Sequence, residues 1–184
     1  TWVPVYYDND LTVTVEALAI DPNKGTVIYT SVSRGDIFKS INRGEEWERI
    51  YQANDRVQNI VIDPNDSKKI YAITARRGVY FSSHSGNKWE GLKALTDALN
   101  EKKLSQEIKD IDFIKNEIGL IFFTTTNGIV KSSDNGATWG KLDLLTSENN
   151  AQINSLAINS QNVKEIYYIT NTTFYRSDDG GASW

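Results

Sequence analysis

The chain has 184 residues, of which 39% are hydrophobic and 24% charged, and its formal net charge is −4. That balance belongs to a folded chain and not to a disordered one, and it argues against the basic face that a nucleic-acid binder requires. There is no cysteine, so disulfides and thiol or cysteine–metal chemistry are excluded as well.

No apolar run reaches the ~18–20 residues of a membrane span, and no signal peptide is recognised at the start. In chain order, Thr1-Trp2 reads as the tail of a repeat unit and Val3-Pro4-Val5 as a short outer strand, where proline's missing N–H is tolerated. The first full unit then predicts a strand at Val15–Asp21, a turn at Asp21-Pro22-Asn23, strands at Val27–Thr30 and Ile37–Lys39, and a fourth at Glu48–Ile50. Between the third and fourth strands lies an octet with Ser40, Asn42, Gly44 and Trp47 at positions one, three, five and eight.

The second unit repeats this order with Val57–Asp63, the turn Asp63-Pro64-Asn65, Ile70–Ile73, Val79–Phe81 and the octet residues Ser82, His84, Gly86 and Trp89. A connection from Lys93 to Glu107 follows, and helix-forming residues from Ala94 to Leu104, with Leu95 and Leu99 four apart, predict a short helix or ordered flap over the central channel, the alternative role being to cover an apolar edge. The third unit has Ile108–Ile114, the turn Lys115-Asn116-Glu117, Leu120–Phe123, Ile129–Lys131, the octet residues Ser132, Asp134, Gly136 and Trp139, and Gly140–Leu142. The fourth has Ile153–Asn159, the turn Asn159-Ser160-Gln161, Ile166–Ile169, Phe174–Arg176 and the octet residues Ser177, Asp179, Gly181 and Trp184.

The octet tryptophans are spaced by 42, 50 and 45 residues, and Trp2 precedes Trp47 by 45. A period of roughly 40–50 residues with four short strands each predicts an all-β array of propeller blades. The blades run at about 2–47, 47–89, 89–139 and 139–184, shifted circularly by one strand. Two organisations fit this frame: a slice of a longer propeller, the preferred one, or a four-bladed ring or two-chain assembly closed by the N-terminal strand.

The octet resembles the Asp box, or BNR repeat, of sialidases, xyloglucan-hydrolysing glycosidases, sortilin-type receptor ectodomains and photosystem assembly factors. The resemblance implies a structural hairpin turn, with glycine at a positive φ, the acid or amide accepting turn N–H groups, and tryptophan packed between sheets. His84 occupies the acid position in the second copy, where a ring nitrogen is expected to act as the acceptor. As the chain's one histidine, it builds neither a zinc site nor a catalytic triad alone. No metal site or cofactor is predicted; Asp8-Asn9-Asp10 opens like a calcium loop but lacks the remaining ligands.

Family resemblance places ligands opposite the octet turns. The loops expected there contribute Arg34, Tyr51, Asp55, Arg56, Arg76, Arg77 and Asn127, with further polar residues in 6–10 and 146–150. These residues suit a glycan or protein partner. Asp110 and Asp112 alternate along an inner strand where the other units carry Ala17 and Ala19, Asn59 and Val61, or Ser155 and Ala157. They are candidate catalytic acids, the alternative being two carboxylates solvated in a central channel. Other enzyme signatures are absent. The sequence therefore reads as a non-catalytic binding or scaffold module of a larger propeller protein, bacterial and extracellular or in the cell envelope. It would sit beside remaining blades or a second chain, without nucleic acid or membrane insertion. The alternative is part of a glycoside hydrolase propeller acting on β-glucans such as xyloglucan.

Overall fold

A computed structural model describes Pro4, Tyr6, residues 9–145 and residues 152–184. Trp2, the Val3-Pro4-Val5 strand (Pro4 apart), Asp8 and the loop 146–150 fall outside the described residues. The chain divides into two compact units, Thr1–Gly91 and Leu92–Trp184.

The first unit contains two four-stranded antiparallel sheets, each in chain order. One is β1 (Val15–Ile20), β2 (Ile28–Val32), β3 (Asp36–Ser40) and β4 (Glu48–Gln52); the other is β5 (Val57–Ile62), β6 (Ile70–Thr74), β7 (Val79–Ser82) and β8 (Glu90–Gly91). The second unit opens with helix α1 (Lys93–Glu101). Its four-stranded sheet is β9 (Ile108–Phe113), β10 (Ile121–Thr125), β11 (Ile129–Ser132) and β12 (Gly140–Lys141), and its three-stranded sheet is β13 (Ile153–Ile158), β14 (Ile166–Thr170) and β15 (Phe174–Ser177).

The repeat extends to backbone detail. Each inner strand begins with a register shift, at Val15/Ala17, Val57/Asn59, Ile108/Asp110 and Ile153/Ser155, so all four sheets carry the same bulge. The second strands are the most apolar, and β6 and β10 are buried along their whole length, as expected of strands covered on both faces.

In each unit the two sheets pack face to face. Ala17, Tyr29 and Ile37 of the first sheet form one core with Ile60, Ile62, Ile70 and Ala72 of the second. In the second unit Phe122, Ile129 and Leu142 meet Leu156, Ile166 and Tyr168. Helix α1 buries Leu95 and Leu99, the pair read from the sequence, together with Ala98. After the helix, Ser105 N–H donates to Asn127 Oδ1 at 2.8 Å, which fixes the chain on the β10–β11 hairpin.

The octet turns have one geometry. The position-one serine hydroxyl accepts the N–H of the position-five glycine, at 2.8, 3.0, 2.8 and 2.8 Å in the four copies. Position four is also left-handed, with φ of 63° at Arg43, 55° at Ser85, 60° at Asn135 and 81° at Gly180. Two consecutive left-handed residues suit the right-handed strand twist at a tight hairpin. Gly86 has a second constraint: a Cβ there would lie 2.5 Å from Ile50 Cδ1 of the neighbouring sheet.

The tryptophans are less uniform than the octet implies. Trp139 is buried, with its ring edge-on to Phe123 at 5.2 Å. Trp47, Trp89 and Trp184 are half-buried. Trp89 does lie between sheets, stacked on Tyr51 of β4 at 5.5 Å, and Trp184 Nε1 donates to the Asp143 carbonyl at 2.9 Å.

Candidate functional site

The octet turns lie against the turns between first and second strands. Arg43 N–H bonds the Thr26 carbonyl, Ser85 that of Lys68, Asn135 that of Gly119 and Gly180 that of Lys164. The loops between second and third strands therefore lie at the opposite end of each sheet, where the family resemblance leads one to expect a ligand.

In the first unit these loops are bound into one network. Gly35, at φ 91°, sits so close to the following crossover that a Cβ would lie 2.4 Å from the Ala53 carbonyl oxygen and 2.5 Å from that of Asp55. The Gly35 carbonyl accepts Ala53 N–H at 2.8 Å. Asp55 Oδ2 accepts the backbone N–H groups of Arg76 and Arg77 at 2.6 and 3.1 Å, and Oδ1 accepts that of Arg56 at 2.9 Å. Burial opposes ionisation of Asp55, but these N–H donors and the Arg76 charge hold its carboxyl below the usual range.

The structure assigns several of the predicted residues to internal roles. Arg34 Nε pairs with the buried Asp36 at 3.0 Å, with Arg49 completing the site at 3.3 Å. Arg56 pairs with Glu16 at 3.2 Å. Tyr51 is not in a loop: it belongs to β4 and packs between Trp89 and Tyr80, because its ring completes the apolar joint between sheets. Asn127 is an acceptor for the post-helix segment. Arg76 and Arg77 remain: both are exposed, on a loop positioned by Asp55, and among the described residues neither guanidinium has an ion-pair partner.

His84 does not replace the carboxylate. In the other octets the third residue accepts the position-seven N–H, at 3.0 Å for Asn42, 2.9 Å for Asp134 and 2.9 Å for Asp179. The His84 ring instead turns to its neighbour, with Nδ1 3.0 Å from Ser83 Oγ. Near Asp8, Asp10 Oδ1 accepts Thr12 N–H at 2.9 Å, a local turn. Among the described residues no three acidic, histidine or cysteine side chains cluster as metal ligands.

Asp110 and Asp112 share a face of β9, as their alternation requires, opposite Thr124 and Phe122 respectively. Both acids are part-buried, however, and Asp112 Oδ2 is fully buried without a hydrogen-bond partner. The expectation of two freely solvated carboxylates therefore fails, because Phe122 and the face around it pack onto the next sheet. Desolvation, reinforced by the Asp110 charge, pushes the Asp112 carboxyl up to about 7. The hydroxyl of Thr124, opposite Asp110, is likewise buried and unpartnered. Sequence spacing found this pair; its desolvation became visible only with the neighbouring sheet in place.

Neither a protein-family model nor a curated relative matches the sequence. Solved structures do resemble the chain. An ancestral GH74 enzyme superposes with a TM-score of 0.74 at 20% identity, over 92% of this chain and 23% of that one. The GH74 xyloglucanase of Xanthomonas campestris gives 0.70 at 16% identity, over 92% and 29%. The extracellular domain of a one-component system from B. thetaiotaomicron gives 0.66 at 11%, over 91% and 23%. The chain thus spans about a quarter of the length of these proteins. No helix among the described residues is long and apolar enough to cross a membrane. At such identities the likeness concerns the fold, and the four sheets are blades of a β-propeller.

Proposed function

We propose that this chain is a non-catalytic binding or scaffold module of a larger Asp-box propeller array, taking a glycan or protein partner on the loops opposite its octet turns. The blade limits 2–47, 47–89, 89–139 and 139–184 are part of this proposal, as is an extracellular or cell-envelope setting, which the extracellular domain among the structural neighbours supports. The observation that carries the binding reading is the Arg76–Arg77 pair, projected from a loop whose backbone Asp55 fixes. Paired guanidinium groups on a pre-ordered loop recognise carboxylates and hydroxyls at low entropic cost. A glycan array with the Arg76→Ala/Arg77→Ala variant as control tests it. Binding lost in the variant supports the site, and binding retained moves the ligand elsewhere.

A second reading, part of a glycoside hydrolase propeller, is favoured by one observation, the raised carboxyl of Asp112 beside Asp110. Its buried oxygen would have to reach a substrate through the sheet joint. Hydrolysis of xyloglucan abolished by Asp112→Asn or Asp110→Asn would establish this reading over the first.

A further inference from the structure

Equivalent positions of the two sheet joints carry different chemistry. In the first unit Ala17 and Ala19 of β1 lie opposite Ser31 and Tyr29 of β2. The polar groups of that face are satisfied: Ser31 Oγ donates to the Val57 carbonyl at 3.0 Å, and Tyr29 OH to that of Ser85 at 3.1 Å. In the second unit the same positions hold Asp110 and Asp112, opposite Thr124 and Phe122. Here the polar groups are left over. Thr124 is 0% exposed and its hydroxyl has no partner, and Asp112 Oδ2 is buried without one. Asp110 Oδ1 accepts only the Ile111 N–H beside it, at 2.8 Å.

No side chain compensates these charges. Among the described residues neither acid has an ion-pair partner. Lys131, the cation on this face, lies over the Phe122 ring with its Nζ 5.5 Å from the centre. Two neighbouring carboxylates on a partly desolvated face are costly unless a positive charge joins them. A buried hydroxyl without a partner on the same face is a second anomaly, of the kind that an ion or water resolves. The acid positions are about 6.7 Å apart along the strand, and Thr124 stands about 5 Å across from Asp110. The three side chains therefore converge on one region of the face, and all their donor atoms are oxygens, the set that hard cations select. Both acids are only part-buried, which leaves a way in from solvent. The upward push on the Asp112 carboxyl, to about 7, marks the same uncompensated charge.

We propose that Asp110, Asp112 and Thr124 form a calcium-binding site on the β9–β10 face, particular to this repeat. The two carboxylates balance the charge of the ion, and the threonine hydroxyl serves as a neutral ligand. Calcium accepts neutral oxygens and irregular arrangements, so two acids suffice where the remaining ligands are uncharged. Magnesium demands a strict octahedron and fits the closed side of this face less well. The site is separate from the acidic turn near the N-terminus, where Asp10 Oδ1 accepts the N–H and hydroxyl of Thr12. It goes beyond the binding reading above and is independent of the arginine loop.

Thermal unfolding of the chelator-treated chain at pH 8 tests it, with calcium chloride compared against sodium chloride of equal ionic strength. Millimolar calcium should raise Tm by about 4 °C, and magnesium by less. Asp110→Asn and Asp112→Asn should each abolish the shift. Calcium titration of the folded chain should count one site, absent from both variants. Asp112→Asn removes a charge from the joint, so its calcium-free Tm should match or exceed that of the wild type, and the lost shift is then not a failure to fold. Thr124→Val keeps the shape of the side chain and should weaken calcium binding several-fold. A Tm that calcium moves no more than sodium, a shift that survives either Asp variant, an unchanged affinity in Thr124→Val, or a shift lost in Asp10→Asn would each overturn the proposal. The full shift retained in Arg76→Ala/Arg77→Ala separates this result from that of the binding test.

Discussion

The two units make the same joint with different chemistry. In the first, polar bonds cross between the sheets: Ser31 Oγ to the Val57 carbonyl at 3.0 Å, and Tyr29 and Lys39 to the Ser85 carbonyl. The equivalents in the second are Thr124, whose hydroxyl is orphaned, and Phe122, which has none to offer, while Asp112 adds a buried carboxyl oxygen without a partner. The turns show the reverse. Both octets of the second unit carry an aspartate whose side chain accepts the turn's N–H groups, whereas in the first unit the ring of His84 turns to Ser83 instead. Apolar burial thus sustains either joint, and the polar groups adjust its stability and pH response.

The largest expected effect is at Asp112. Its carboxyl stands at about 7 in the fold against 3.8 when solvated. The unfolded chain therefore releases this proton first, and the cost to stability grows from about pH 4 and is complete above about pH 7. That difference amounts to roughly 4 kcal/mol as a ceiling. Asp112→Ala, which installs the residue found at positions 19 and 157, should stabilise the protein at pH 8 and leave it nearly unchanged at pH 4 in urea titrations. Equal effects at both values would remove the contrast between the joints.

Tyr29→Phe makes the first joint resemble the second. Losing one buried hydrogen bond should cost about 1 kcal/mol, read as a lower urea midpoint with the slope preserved. His84→Asp should act in the opposite direction, gaining roughly 1 kcal/mol and a few degrees in Tm, as for a restored cap; a lower Tm would mean that His84 has a structural part. The smallest effect concerns acid. Hydrogen bonds from Thr138 and Ser132 hold Asp134 down to about 2, so its contribution is present above pH 4 and is lost as pH falls through about 2. Asp134→Asn should flatten that acid limb of the Tm profile.

Much of the fold was legible because period and turn chemistry are local. Among the described residues, strands β1 to β15, the helix α1 and the paired turns lie close to where the sequence places them, since β-branched runs bounded by Asp-Pro-Asn or by the octet leave few alternatives. The site was less legible. Tyr51 reads as a loop aromatic until Trp89 is stacked on it. His84 reads as an acceptor until its ring is seen to turn away. Arg34 and Arg56 read as free cations, although Asp36, two residues along, and Glu16, forty residues earlier on β1, pair with them.

The amino-acid order alone determined the repeat, its strands and the octet turns, because these depend on backbone preferences and hydrophobic alternation within a few residues. Only the tertiary structure decided which equivalent positions are buried. Leu18 and Ile60 hold the same register position on their strands, yet Leu18 is 66% exposed and Ile60 3%. The same is true of the Asp112 proton: desolvation comes from atoms far away in sequence, and no local pattern encodes it.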